Sequence, residues 1–186
     1  MHDGESIGVG DRAGRCGSGL ASELSVGISF RLKDQSNVLI RWMQANDVPA
    51  VYRLEQAIFP SPWTYDSFLY ELSNHNFNLS VVGIVKQQVV AYAVANVVAN
   101  EIHINNLAVA EAFRRRGIGE RLLQMLLRLG GDMQCEVAHL EVRAGNKEAI
   151  PLYQKYGFQV VGVRKKYYDV ENEDALLMSR YFTGER

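Results

Sequence analysis

Arg114-Arg115-Arg116-Gly117-Ile118-Gly119 lies between two runs of different character. Glu101 to Ala110 before it reads as a strand. After it, Ile118, Leu122, Met125, Leu126 and Leu129 fall at helical spacing. The glycines let the backbone turn tightly and approach a ligand with no Cβ in the way. The helix that begins there aims free N–H groups and its positive dipole end at the loop. Three arginines add positive charge, so the loop suits a pyrophosphate. The same six residues also describe a basic turn that merely starts a surface helix. A Walker A loop is excluded, because no Gly-Lys-Ser/Thr follows. A dinucleotide fingerprint fails as well: its glycine spacing is absent, and the loop follows a fourth strand, not a first.

Working outward, Gly130-Gly131 is expected to stop the helix. Upstream, Val38 to Met43 reads as a short strand. Asn46 or Asp47 can cap a helix that carries Pro49 in its first turn and runs to about Ile58. Pro60-Ser61-Pro62-Trp63 breaks it, and Thr64 can cap a second helix through Leu72. Phe77 to Lys86 and Val89 to Ala99 are rich in β-branched residues around a tight Gln87-Gln88 turn, which predicts a hairpin. Downstream come a strand at His139 to Arg143, a helix from Asn146 to Tyr156 closed by Gly157, and strands at Phe158 to Arg164 and Ala175 to Tyr181. The order β, α, α, β, β, β, α, β, α, β, β predicts an α/β sandwich around a mixed sheet.

Residues 1–37 differ in kind. They hold seven glycines, many serines, scattered charge and no hydrophobic period, which predicts a disordered tail ahead of a folded domain at 38–186. The 186 residues suffice for one domain. A net charge of -1 gives no sign of broad nucleic-acid binding, and the arginines gather at one loop without interleaved aromatics. No run approaches the roughly 18 apolar residues of a membrane helix. Leu24 to Phe30 is too short and too polar for a secretion signal. The two cysteines, Cys16 and Cys135, sit in unrelated segments and fit a reducing cytoplasm. His75, His103 and His139 lack metal-ligand spacing, so no metal is expected.

Three residues stand out near the loop's sequel. Glu141 shares a strand face with His139 and Arg143, opposite Ala138, Leu140 and Val142. It is either a solvated charge or a proton acceptor. Tyr153, beside Leu152 and Tyr156, is either a core aromatic or a hydroxyl donor. Asn146 suits a helix cap. Trp63 with its prolines, and Tyr167-Tyr168, either flank a groove or pack as loops against the core.

Arg114-x-x-Gly117-x-Gly119 resembles the Arg/Gln-x-x-Gly-x-Gly/Ala signature of the GNAT acetyltransferases. Around it stand Asn106-Leu107-Ala108-Val109, Leu140-Glu141-Val142-Arg143-Ala144-x-Asn146 and Ala149-Ile150-x-Leu152-Tyr153-x-x-x-Gly157-Phe158. With Arg164-Lys165-Lys166-Tyr167-Tyr168 and Glu173-Asp174-Ala175, these look like the ribosomal-protein alanine N-acetyltransferases of the RimI type, over about residues 38 to 182. The resemblance implies a GNAT fold: a mixed, mostly antiparallel sheet of about seven strands flanked by about four helices.

It also implies acetyl-CoA as co-substrate. Arg115, Arg116, Gly117, Ile118, Gly119 and Glu120 are then expected at the coenzyme's pyrophosphate, Leu107, Ala108 and Val109 along its pantetheine arm, and Asn146 as a further contact. A strand edge offers amides to a ligand that carries amides of its own, and an N–H there can stabilise negative charge developing on oxygen. Glu141 is implied as general base and Tyr153 as the donor to the departing thiolate. The acceptor so implied is a protein N-terminus, the alanine of the eighteenth small-subunit ribosomal protein. An α-amine near pKa 8 is roughly 10% neutral at pH 7, whereas lysine is well under 0.1% neutral, so one weak base suits the former. Acetylation of a small amine or amino acid, or coenzyme binding without catalysis, are the alternatives; the presence of both Glu141 and Tyr153 counts against the second.

Overall fold

The computed structural model describes residues 23–25, 27–73, 77–168 and 172–182. Its strands are β1 (Ile28–Arg31), β2 (Asn37–Trp42), β3 (Asn78–Val85), β4 (Gln88–Val98), β5 (Glu101–Val109), β6 (Val137–Arg143), β7 (Gln159–Tyr168) and β8 (Glu173–Tyr181). The helices α1 (Val48–Ile58), α2 (Tyr65–Ser73), α3 (Ile118–Asp132) and α4 (Ala149–Lys155) are interleaved with them. One eight-stranded sheet results, in the order β1-β2-β3-β4-β5-β6-β8-β7. All neighbours are antiparallel except β5 and β6.

The predicted elements form, with instructive differences. Sheet and folded region begin earlier than residue 38: β1 pairs with β2, and Leu24 and Leu32 are buried. Ile28, Phe30 and Leu32 alternate with Ser29 and Arg31, but over so few positions that the period is lost among glycines and serines. This makes eight strands among the described residues where about seven were expected. Residues 1–22, with Cys16, and His75 lie outside the described residues.

Gly130-Gly131 does not stop α3. A Cβ on Gly130 would meet Ile102 Cγ2 at 3.0 Å and Phe182 at 3.1 Å, so the glycine lets the helix pack closely on the sheet. The helix ends instead beside Gln134, held in the left-handed conformation at φ 58°. Asp47 does not cap α1; its carboxylate accepts from Arg41 Nη1 and Nη2 at 2.6 and 2.9 Å and from the Gln44 amide at 2.8 Å. Thr64 does cap α2, its hydroxyl accepting from the Ser67 amide at 3.1 Å. The β3–β4 turn falls at Lys86-Gln87, one residue ahead of expectation, and both residues have positive φ, as a two-residue hairpin requires.

Each sheet face buries its own cluster. On one face α3 packs Ile118, Leu122 and Leu126 over Ala91, Ala93 and Ile102, with Tyr153 of α4 and Phe158 in the same core. On the other, α1 and α2 bring Val48, Val51 and Phe68 against Val82, Tyr92 and Ala108.

The feature that positions a site is an opening in the sheet. Strands β5 and β6 pair only from Glu101↔Val137 to Ile104↔Leu140. Immediately beyond, the β4 partners step from Ala95↔Ile104 to Val94↔Asn106, leaving Asn105 as an extra residue. Such a bulge bends its strand. From there to Val109, β5 runs along β4, with no β6 partner in its register.

Candidate functional site

A cleft of about 550 Å³ occupies this opening. One wall is the exposed edge of β5, with Leu107, Ala108 and Val109; the floor is the Arg115, Gly117, Ile118, Gly119 and Glu120 turn. Asn146, Ala149 and Leu152 close it from the α4 side, and Ile58 and Phe59 from the end of α1. Residues of both sheet faces meet here because the sheet is open.

The turn has the geometry its sequence promised. Arg115 and Gly117 both take positive φ, 59° and 86°, so the backbone doubles back just before α3. The first turn of a helix leaves N–H groups without intrahelical acceptors, and here they border the cleft. Gly119 lies close under β5: a Cβ there would come within 3.4 Å of Val109 Cγ2 and 3.7 Å of Leu107 Cδ2. Glu120 accepts from Lys155 Nζ at 2.5 Å and from the Tyr156 hydroxyl at 2.6 Å. Its carboxyl is lowered chiefly by the Lys155 bond, then by Tyr156. Asn146 does two things: its Oδ1 accepts from the Ala149 amide at 3.0 Å, capping α4, and it lines the cleft.

Arg116 alone of the expected coenzyme residues points elsewhere. Its guanidinium pairs with Asp34 at 2.6 Å, lies 5.3 Å from the Phe113 ring centre, and borders a separate hollow with Phe30 and Arg31. The β1–β2 turn, invisible as structure in the sequence, supplies that carboxylate.

Glu141 and Tyr153 lie on opposite faces of the sheet, and neither is among the residues that line the cleft. Glu141 is on the open face of β6, exposed, with its Oε1 held 2.8 Å from Arg164 Nη1. The Arg164 guanidinium in turn lies 5.0 Å from the Tyr167 ring centre. Tyr153 is buried, edge-on to Phe158 at 6.0 Å, and its hydroxyl is pushed up to about 12 by burial and then by Tyr168. The Tyr168 hydroxyl is pushed up chiefly by burial and also by Glu141, against the lowering effect of Arg143, whose guanidinium lies 3.8 Å from its ring centre. Sequence reasoning raised Tyr167 and Tyr168 only as possible groove flanks. It missed Ile58 and Phe59, for which the Pro60-x-Pro62 break was the available signal, and it missed Arg164 as the partner of Glu141. Among the described residues, no group of His, Cys, Asp and Glu is arranged to hold a metal ion. No helix of the described residues is long and apolar enough to cross a membrane.

The chain belongs to the acetyltransferase (GNAT) family, whose model matches residues 48–158, and the opened mixed sheet with a glycine turn and helix start at the opening is the site it carries. Within that family it is 33% identical over 141 residues to the ribosomal protein bS18-alanine N-acetyltransferase of Escherichia coli strain K12, covering 74% of this chain and 93% of the relative. It is 30% identical over 154 residues to an N-alpha-acetyltransferase of Saccharolobus solfataricus, covering 76% and 91%. The crystal structure of the ribosomal-protein-S18-alanine N-acetyltransferase from Escherichia coli superposes with a TM-score of 0.72 at 30% identity, over 80% of this chain and 97% of that one.

Proposed function

We propose that this chain transfers acetyl from acetyl-CoA to the N-terminal α-amine of a protein, and that its acceptor is the alanine that begins ribosomal protein bS18. The observation that carries the reading is the cleft in the β5–β6 opening, bounded at one end by the Arg115–Glu120 turn. Its residues fit the coenzyme. Gly119 lies where even a Cβ would be in contact with the β5 edge, and the α3 N–H groups and Arg115 suit a pyrophosphate. Leu107, Ala108 and Val109 offer a strand edge to a ligand rich in amides, and Asn146 borders the same space. Acetyl-CoA, when bound, supplies the activated acetyl group.

The chain's own residues then manage the proton. Glu141, oriented by Arg164, accepts it from the incoming amine, directly or through water. Tyr153, whose pKa of about 12 keeps its hydroxyl protonated at neutral pH, is a donor for the sulfur that departs. Support for an α-amine acceptor comes from the relatives at 30–33% identity, which act on protein N-termini by name. The cysteine usage and even charge support a cytoplasmic setting for that reaction. Initial rates with acetyl-CoA and short peptides beginning with Ala, Ser or Met, or blocked at the terminus and carrying an internal Lys, test the proposal. Alanine-starting peptides should lead, and a preference for the blocked lysine peptide contradicts it.

A further inference from the structure

Glu55 is a carboxylate on the core side of α1, in line with Val48 and Val51 and 1% exposed. A charge at such a position is costly unless its oxygens are saturated with donors. Here they are. Oε1 accepts from the Trp63 backbone amide at 2.9 Å, and the Asn106 side-chain amide lies 3.2 Å from each oxygen. Oε2 also accepts from the Tyr92 hydroxyl. Burial, with Glu55 beside it, raises that hydroxyl above the ordinary phenol range, so it keeps its proton and donates.

The three partners come from three different elements beside the cleft. Trp63 lies in the irregular segment after α1, whose first residue, Phe59, lines the cleft together with Ile58, the last residue of α1. Asn106 is the residue just past the β5 bulge, next to the Leu107–Val109 edge. Tyr92 is the register partner of Ala108 on β4. Segment 59–64 has no regular hydrogen-bonded structure of its own in which the Trp63 amide could be satisfied. Glu55 therefore supplies the bond that fixes this segment against the strand expected to carry the coenzyme.

We propose that Glu55 is a positioning residue for the acceptor: by tying Trp63 to Asn106 it fixes the 59–63 segment, whose Phe59 lines the cleft, and so the fit of the incoming N-terminus. This rests on the N-terminal acetylation reading above. All three donors are neutral, so the requirement is for acceptor oxygens and not for charge. Glutamine meets it for two of the three: its oxygen can serve Trp63 and Asn106, while its NH2 can donate to the Tyr92 hydroxyl oxygen, leaving only that hydroxyl's proton without its former acceptor. Methionine, of similar length, leaves the Trp63 and Asn106 donors unpaired.

The test is steady-state kinetics on Glu55→Met and Glu55→Gln with acetyl-CoA and an alanine-starting peptide, alongside acetyl-CoA affinity by calorimetry. Glu55→Met should raise the peptide KM on the order of tenfold or more, with kcat and coenzyme affinity within about twofold of wild type. Glu55→Gln should restore KM. A Glu55→Met enzyme with unchanged KM, or one that loses kcat and coenzyme affinity together, overturns the positioning role while leaving the acetylation reading intact. No transfer by the wild-type chain would instead remove that reading. A second measurement needs no variant: the Trp63 amide in the wild-type chain should exchange with deuterium far more slowly than the amides of Ser61 and Thr64. Equal exchange rates would contradict the anchor even if Glu55→Met failed to fold.

Discussion

Glu141 carries the sharpest chemical expectation. It lies on the solvated face of β6, where period-two alternation puts it, and nothing in that pattern separates a catalytic carboxylate from an ordinary surface charge. What three dimensions add is its ion pair with Arg164 at 2.8 Å. If Glu141 takes the amine proton, Glu141→Gln keeps shape and hydrogen bonding but loses basicity. The rate with an alanine-starting peptide should fall by about 10²–10⁴, with acetyl-CoA affinity unchanged. The defect should shrink as pH rises past the amine pKa near 8, where the acceptor arrives already neutral. A defect confined to peptide KM and insensitive to pH would make Glu141 an anchor for the substrate's charge. A wild-type profile would remove it from the chemistry. Tyr153 cannot be the source of an alkaline limb at that pH, because burial holds its hydroxyl protonated up to about 12.

At the scale of elements, the turn proposed to hold the coenzyme's pyrophosphate depends on how closely α3 approaches β5. Gly119→Val would place methyl groups against Val109 Cγ2, already 3.4 Å from where a Cβ would stand, and push the helix start away from the strand edge. Acetyl-CoA affinity measured by calorimetry should drop at least tenfold while the circular dichroism spectrum stays native; unchanged affinity would show that the turn does not bind the coenzyme. The turn and the helix after it were legible in advance, because paired glycines follow a strand and the apolar spacing of α3 is strong. The neighbouring Gly130 shows where such reading stops. Glycine as helix terminator and glycine as close-packing residue look alike in sequence, and only the position of Ile102 across the sheet distinguishes them. Arg116 is similar: one of three adjacent arginines, it is drawn out of the cleft by Asp34, a partner 82 positions away. Glu55 left a fainter trace, a charge on the apolar stripe of α1, which marks an anomaly without naming its partners.

For the molecule as a whole, the β1–β2 hairpin changes where the folded unit starts. A tail read from composition alone would end at residue 37, yet Leu24 and Leu32 are fully or nearly fully buried and Asp34 reaches Arg116. Burying two leucines contributes on the order of 3 kcal/mol or more. A chain beginning at residue 23 should therefore melt like the full-length protein, whereas one beginning at Ser36 should melt roughly 5–10 °C lower. Equal melting temperatures for all three would mean that the hairpin adds nothing to the core. The sheet it extends is also the frame that holds the β5–β6 opening, and on that opening the proposed chemistry rests. The most direct test uses one peptide that begins with alanine and carries an internal lysine, incubated with acetyl-CoA and the full-length chain, with the product sequenced by tandem mass spectrometry. The account predicts a single added acetyl group on the α-amine of the first residue. An acetyl group on the lysine side chain, or an unmodified peptide in the presence of demonstrable coenzyme binding, would contradict it.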